Sequence, residues 1–226
     1  MDVVYILRAW YDNCLELRYS LRSLENIEHW KVFIIGYKPD WITNVVHIPA
    51  EDPYEIKSLN ALHKINIACK DERVSDDFIL MNDDFYIKDK TEIKYFHQWT
   101  MHNQLCERRA RWNNWTYVNK LHLTYCLFPG WNDFSIHCPI VYNKDKFLKL
   151  QEHYDMTQGY LLRNLYCNHY WIKWEKIEDC KVRNLAEMPK EFPTFFSNLD
   201  SLIITDEFKE ALNNLFPNAS KYENRK

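Results

Sequence analysis

Three glycines in 226 residues set the first limit on this chain. Ordinary usage is about 7%, and here Gly36, Gly130 and Gly159 stand far apart. A Gly-rich dinucleotide fingerprint and a P-loop both need clustered glycines, so that backbone N–H groups can close on phosphate. Neither fits here, and any nucleotide has to be held by side chains. The chain offers instead short apolar runs between helical stretches. Val3–Leu7 is a continuous apolar run, suited to a strand buried on both faces of a parallel sheet. Leu17, Leu21, Leu24 and Ile27 recur at helical spacing. Val32–Ile35 reads as a second strand, ended by Gly36 and the Pro39-Asp40 turn, and Val45–Ile48 as a third, ended by Pro49. Ile56, Leu59, Leu62, His63 and Ile67 mark a second helix, and Phe78–Met81 a fourth strand running into Asn82-Asp83-Asp84. Strands separated by helices argue for an α/β layer fold.

The second half is less regular. Residues 91–127 are rich in aromatics and amides, a short strand is expected over Pro139–Tyr142, and helices near 144–153, 157–169 and Asp206–Leu215. No repeat, low-complexity linker or composition break divides the chain, so a single domain over 1–226 is expected. With 29 Lys+Arg against 32 Asp+Glu the formal charge is −3, which argues against a strongly basic nucleic-acid protein but not against local patches. The seven cysteines never form C-x-x-C, so a structural zinc site is not expected, and free thiols in a reducing compartment are. No stretch approaches the ~18 apolar residues that span a bilayer. The N-terminal apolar run is too short for a signal peptide. The expected location is the cytoplasm.

The strongest chemical signal is Asn82-Asp83-Asp84 at a strand end. Adjacent carboxylates repel, and a cation relieves them; in open α/β sheets ligands bind outside the carboxyl ends of strands. Mg²⁺ and Mn²⁺ take oxygen ligands and share themselves between one or two carboxylates and substrate phosphates. The alternative is a solvated turn, for which Asp and Asn are common residues. In Cys106–Lys120, Arg108, Arg109, Arg111 and Lys120 oppose only Glu107, and Trp112, Trp115 and Tyr117 are interleaved. Basic and aromatic side chains in that mixture hold extended or flipped-out nucleic acid. They equally suit a helix that turns its tryptophans inward while the arginines snorkel.

Asp2–Tyr5 and Asp12-Asn13-Cys14-Leu15-Glu16-Leu17-Arg18-Tyr19-Ser20 resemble the opening blocks of the Stealth family, sugar-1-phosphate transferases of bacterial capsule assembly. Asn82-Asp83-Asp84 and Asn60 fit the same pattern; His137-Cys138-Pro139 resembles its histidine-x-proline block, and Arg163 with Tyr166 and Asn168 its arginine block. The resemblance implies a glycosyltransferase-A-like fold, a mixed and mostly parallel sheet flanked by helices with an irregular helical C-terminal half. It also implies a nucleotide-sugar donor, Mn²⁺ or Mg²⁺, and transfer of a sugar or sugar-1-phosphate to an acceptor hydroxyl. Residues 1–90 would then bind the donor and 91–226 the acceptor. Asp83 and Asp84 would hold the metal, with Asn13, Glu16, Arg18, Asn60 and Arg163 on the donor. The local alternatives are helix capping for Asn13 and Glu16 and an ion pair with Glu16 or Glu25 for Arg18. His137, one of nine histidines, would be the base toward the acceptor, with Asp133 as its substitute. Compact, glycine-poor, aromatic-rich chains also resemble phage-encoded glycosyltransferases that decorate modified DNA bases. On that reading Arg108, Arg109, Arg111, Trp112 and Trp115 face the acceptor and the location is the host cytoplasm; otherwise the acceptor is a glycoconjugate. A reading of another class is a non-catalytic nucleic-acid-binding module. The oligomeric state is open.

Overall fold

The computed structural model describes residues 1–8, 14–111 and 115–224. The first elements are β1 (Asp2–Leu7), α1 (Leu15–Ser23), β2 (Val32–Gly36), β3 (Val46–Ile48), α2 (Lys57–Lys70), β4 (Asp77–Met81) and β5 (Phe85–Ile87). They are followed by β6 (Phe96–His97), α3 (Met101–Arg111), α4 (Trp115–Leu127), β7 (Ile140–Asn143), α5 (Lys144–His153) and α6 (Leu162–His169). The last are β8 (Glu175–Lys176), β9 (Lys181–Val182), β10 (Phe195–Asn198) and α7 (Asp206–Leu215). They gather into two compact units: one of Met1–Ile93, His137–Lys144 and Cys180–Lys226, the other of Lys94–Ile136 and Asp145–Asp179.

The first unit is built on a five-stranded sheet in the order β3-β2-β1-β4-β7, parallel except for β7 at its edge. The near-continuous apolar runs of β1 and β2 are buried along almost their whole length, as strands covered on both faces must be. Asp2, the one acid in β1, is buried and spent on the backbone: its carboxylate accepts from Lys31 N–H at 3.0 Å and Ser75 N–H at 2.8 Å, tying the start of β1 to both neighbours. Gly36 closes β2 at φ +110°, where a Cβ would stand 2.1 Å from the Leu7 carbonyl oxygen, so only glycine fits beside the end of β1. A smaller sheet, β5-β10-β9, lies in the same unit. Tyr19 of α1, Tyr86, Phe192, Phe196, Phe208, Leu212 and Phe216 form a second core there.

In the second unit, the amide- and aromatic-rich stretch folds as the hairpin α3–α4 around Met101, Leu105, Val118 and Leu121. The helix expected over 157–169 starts only at Leu162. Asp155 caps a single 3₁₀ turn at Met156–Gln158, and Gly159 at φ +79° reverses the chain before α6. Among the described residues, no helix is long and apolar enough to cross a membrane.

Candidate active site

The chain runs from β1 through α1 to β2 and β3, then returns by α2 to β4 on the other side of β1. Strand order thus reverses at β1–β4, and the loops leaving the two strands part to open a crevice, the usual ligand position in open α/β sheets. Tyr5 pairs with Met81, so Leu7-Arg8 and Asn82-Asp83-Asp84 emerge at the same sheet end. Between them lies a cavity of about 290 Å³, lined also by Glu16 of α1, by Asp52, Lys57, Asn60 and Lys64 on and before α2, and by Asp200 after β10.

Its chemistry is dominated by carboxylates in unlike circumstances. Glu16 is buried in the first turn of α1, where a negative charge suits the helix dipole. Asn198 Nδ2 donates to Glu16 Oε1 at 2.6 Å, and the Tyr86 hydroxyl donates to Asn198 Oδ1 at 2.7 Å, so a buried chain of side chains fixes the glutamate. Asp84 is held from β9, with Lys181 Nζ 3.1 Å from its Oδ2. Desolvation, and then the charges of Asp84, Glu16 and Asp200, push the Asp83 carboxyl up to about 7, well above the ordinary aspartate range. Such a site takes up positive charge, whether a proton or a metal ion. Carboxylate oxygens are the donors that Mg²⁺ and Mn²⁺ prefer. Among the described residues, no three His, Cys, Asp or Glu side chains are yet gathered to hold a metal ion.

The opposite wall is cationic and amide-bearing. Lys64 is buried, and its ammonium donates to the Leu7 carbonyl at 2.6 Å and to Asp52 Oδ1 at 2.5 Å. It therefore links the end of β1 to the loop before α2. Asn60 holds the next part of that loop, accepting from Tyr54 N–H at 2.9 Å and donating to the Tyr54 carbonyl at 2.6 Å. Arg8 and Lys57 line the cavity as further cations.

Of the residues singled out in the sequence, Glu16, Asn60, Asp83 and Asp84 are brought together in this crevice. His137 is half-buried at the same sheet end, three residues before Ile140, which pairs with Leu80 of β4. Arg18 does not line the cavity. Its guanidinium pairs with Glu223 at 2.6 Å and lies over the Trp41 ring at 4.1 Å, rather than meeting Glu16 or Glu25 as the local alternative had it. Asp133 and Arg163 belong to the second unit. Asp133 is buried, its Oδ1 accepting from Ser135 N–H at 2.9 Å and Asn164 Nδ2 at 2.8 Å; Arg163 donates to the Ile136 carbonyl. Both brace the 133–136 loop against α6. Asn13 and Trp112 fall outside the described residues; Arg108, Arg109 and Arg111 lie on α3 and Trp115 opens α4, with their side chains outside the description. Sequence reasoning missed Arg8, Asp52, Lys57, Lys64, Lys181, Asn198 and Asp200. Only Lys57 and Lys64 carried a local signal, one helical face shared with Asn60.

Compared with solved structures, the chain matches the crystal structure of the galactosyltransferase LgtC in complex with donor and acceptor sugar analogues, with a TM-score of 0.53 over 98% of each chain at 10% identity. The fold is of the glycosyltransferase-A type. A crystal structure of an LgtC active-site mutant matches with the same TM-score, coverage and identity. No family model and no curated protein matches the chain. At such identity the likeness speaks for the fold alone, and the chemistry has to come from the crevice.

Proposed function

We propose that this chain is a nucleotide-sugar-dependent transferase, moving a sugar or sugar-1-phosphate from a donor seated in the crevice to an acceptor hydroxyl. The observation that carries this reading is the crowding of Glu16, Asp83, Asp84 and Asp200 at the switch point of a glycosyltransferase-A-type sheet, where Asp83 is pushed up to about 7. Asp83 and Asp84 would hold Mn²⁺ or Mg²⁺. Bound there, the metal would supply positive charge against the leaving diphosphate. Arg8 and Lys57 are the cations on the cavity wall for donor phosphates, in place of Arg18, which is engaged with Glu223. Glu16, fixed by Asn198, and the loop held by Asn60 shape the remaining wall. His137, at the same sheet end, accepts the proton of the acceptor hydroxyl.

The Stealth-like blocks favour sugar-1-phosphate as the group moved and a glycoconjugate as acceptor. The phage-type alternative, with modified DNA as acceptor, rests on the Arg108–Trp115 segment. The seven free cysteines support a reducing compartment, the cytoplasm. Incubating the protein with a panel of nucleotide-sugars and Mn²⁺ tests the reading. Slow release of nucleotide from one donor is expected, lost on chelation and in Asp84→Asn. Absence of both hydrolysis and thermal stabilisation across the panel would contradict it.

A further inference from the structure

Asp84 does not wait in the crevice as a bare carboxylate. Lys181 Nζ stands 3.1 Å from its Oδ2, and each side chain is only 14% exposed. Asp84 lines the cavity whereas Lys181 does not, so the ammonium approaches from outside the cavity lining. The position is set by backbone: β9 runs parallel to β10, Lys181 beside Ser197, in the small sheet that also carries Asn198. An ion pair this dry is costly to separate, because each charge then loses the partner that offsets its desolvation. A divalent cation coming to Asp84 alone has to displace a tethered ammonium. Nor are three His, Cys, Asp or Glu side chains gathered for it among the described residues.

We propose that Lys181 is a built-in counter-ion that keeps the empty crevice from taking up divalent metal and makes metal and a diphosphate-bearing donor bind together. The inference rests on the reading of the crevice as a metal and donor site. Without the donor, Lys181 neutralises Asp84 and the metal gains little by replacing one cation with another. When the donor's diphosphate enters the crevice, its oxygens add to the ligands the metal can take, and the metal, shared between carboxylate and phosphate, can then compete with the ammonium for Asp84. By linkage each of the two ligands raises the affinity for the other by the same factor. Lys181 acts through Asp84 and is a positioning residue.

The test is Mn²⁺ binding to the full chain, followed by electron paramagnetic resonance of the free ion, in the wild type, Lys181→Met, Lys181→Gln and Lys181→Arg. Circular dichroism and thermal melts accompany each variant, and the glutamine variant serves if the methionine variant does not fold. Mn²⁺ alone should bind Lys181→Met or Lys181→Gln at least tenfold more tightly than the wild type, with Lys181→Arg close to the wild type. Adding UDP or GDP should tighten Mn²⁺ binding more in the wild type than in the neutral variants. Equal Mn²⁺ affinity in all four proteins would overturn the role of Lys181 while leaving the crevice a metal site. No Mn²⁺ binding by any of them, with or without the nucleotide, would overturn the metal site and this inference with it.

Discussion

Carboxylates on two sides of α1 are pushed in opposite directions. At its N-terminal end, Asp83 shares the crevice with Asp84, Glu16 and Asp200 and rises to about 7. On another face, Glu223 is also desolvated, which would raise it, yet hydrogen bonds from Arg22, the Ser220 N–H and Arg18 outweigh burial and bring it down to about 2. Arg22 Nε lies 2.9 Å from Glu223 Oε1 and Arg18 Nη1 2.6 Å from Oε2, fastening the C-terminal segment to the helix. The same functional group is satisfied in one place and left short of positive charge in the other. A fold keeps the second arrangement at a cost in stability, and function is the usual reason.

The contrast predicts that the crevice end can lose activity without losing stability, and the clamp the reverse. The largest effect is expected at His137: His137→Ala should lower turnover by roughly 10²–10⁴-fold, with donor affinity and melting temperature nearly constant. Steady-state kinetics beside a melt checks it, and a collapse of donor affinity would make His137 a ligand or a structural residue instead. Next comes Glu223→Gln, which leaves two arginines facing a neutral amide and should cost about 3 kcal/mol of unfolding free energy, read by urea titration. Donor binding should survive in that variant.

The pH dependence sharpens the comparison. Because the folded pKa of Glu223 lies below its unfolded value, its contribution is complete above about pH 4.5 and is lost as pH falls toward 2. Asp83 has the opposite sign. Its folded pKa is raised, so the folded state holds the extra proton and stability falls as pH rises from about 4 to about 7. The metal-free Asp83→Asn variant, in chelator at pH 8, should therefore be as stable as the wild type or more so, and the falling limb should flatten. Smallest is Asp2→Ala: it strands the Lys31 and Ser75 N–H groups, at about 1–2 kcal/mol. That loss belongs to the sheet and should leave both carboxylate groups unchanged.

The sequence was readable where a single strand or helix carries its own pattern. Val3–Leu7, Val32–Ile35 and Phe78–Met81 announce a buried parallel sheet by their apolar continuity, and Asn82-Asp83-Asp84 sits where such a sheet binds ligands. The rest of the crevice comes from far along the chain. Lys181 belongs to a two-residue strand and Asn198 to a four-residue one, too short for any periodicity to show. Arg18, expected on the donor, is instead engaged by Glu223, 205 residues away in a polar tail that gives no local sign of burial. Residues 91–127 hid their two helices for different reasons. In α3 apolar positions are few and amides and charges interrupt them, whereas in α4 apolar and aromatic residues run round the helix and leave no stripe.

The most direct test of the account is a thermal-shift series with nucleotide-sugars, with and without Mn²⁺, on the wild type, Asp84→Asn and Glu223→Gln. A ligand that binds only the native state must raise its stability. The account predicts that one donor with Mn²⁺ raises the melting temperature of the wild type and of Glu223→Gln, the latter from a lower baseline, while Asp84→Asn, whose baseline also falls because Lys181 loses its partner, loses the shift. The same Mn²⁺-dependent shift in Asp84→Asn as in the wild type, or none in any of the three proteins, would contradict it.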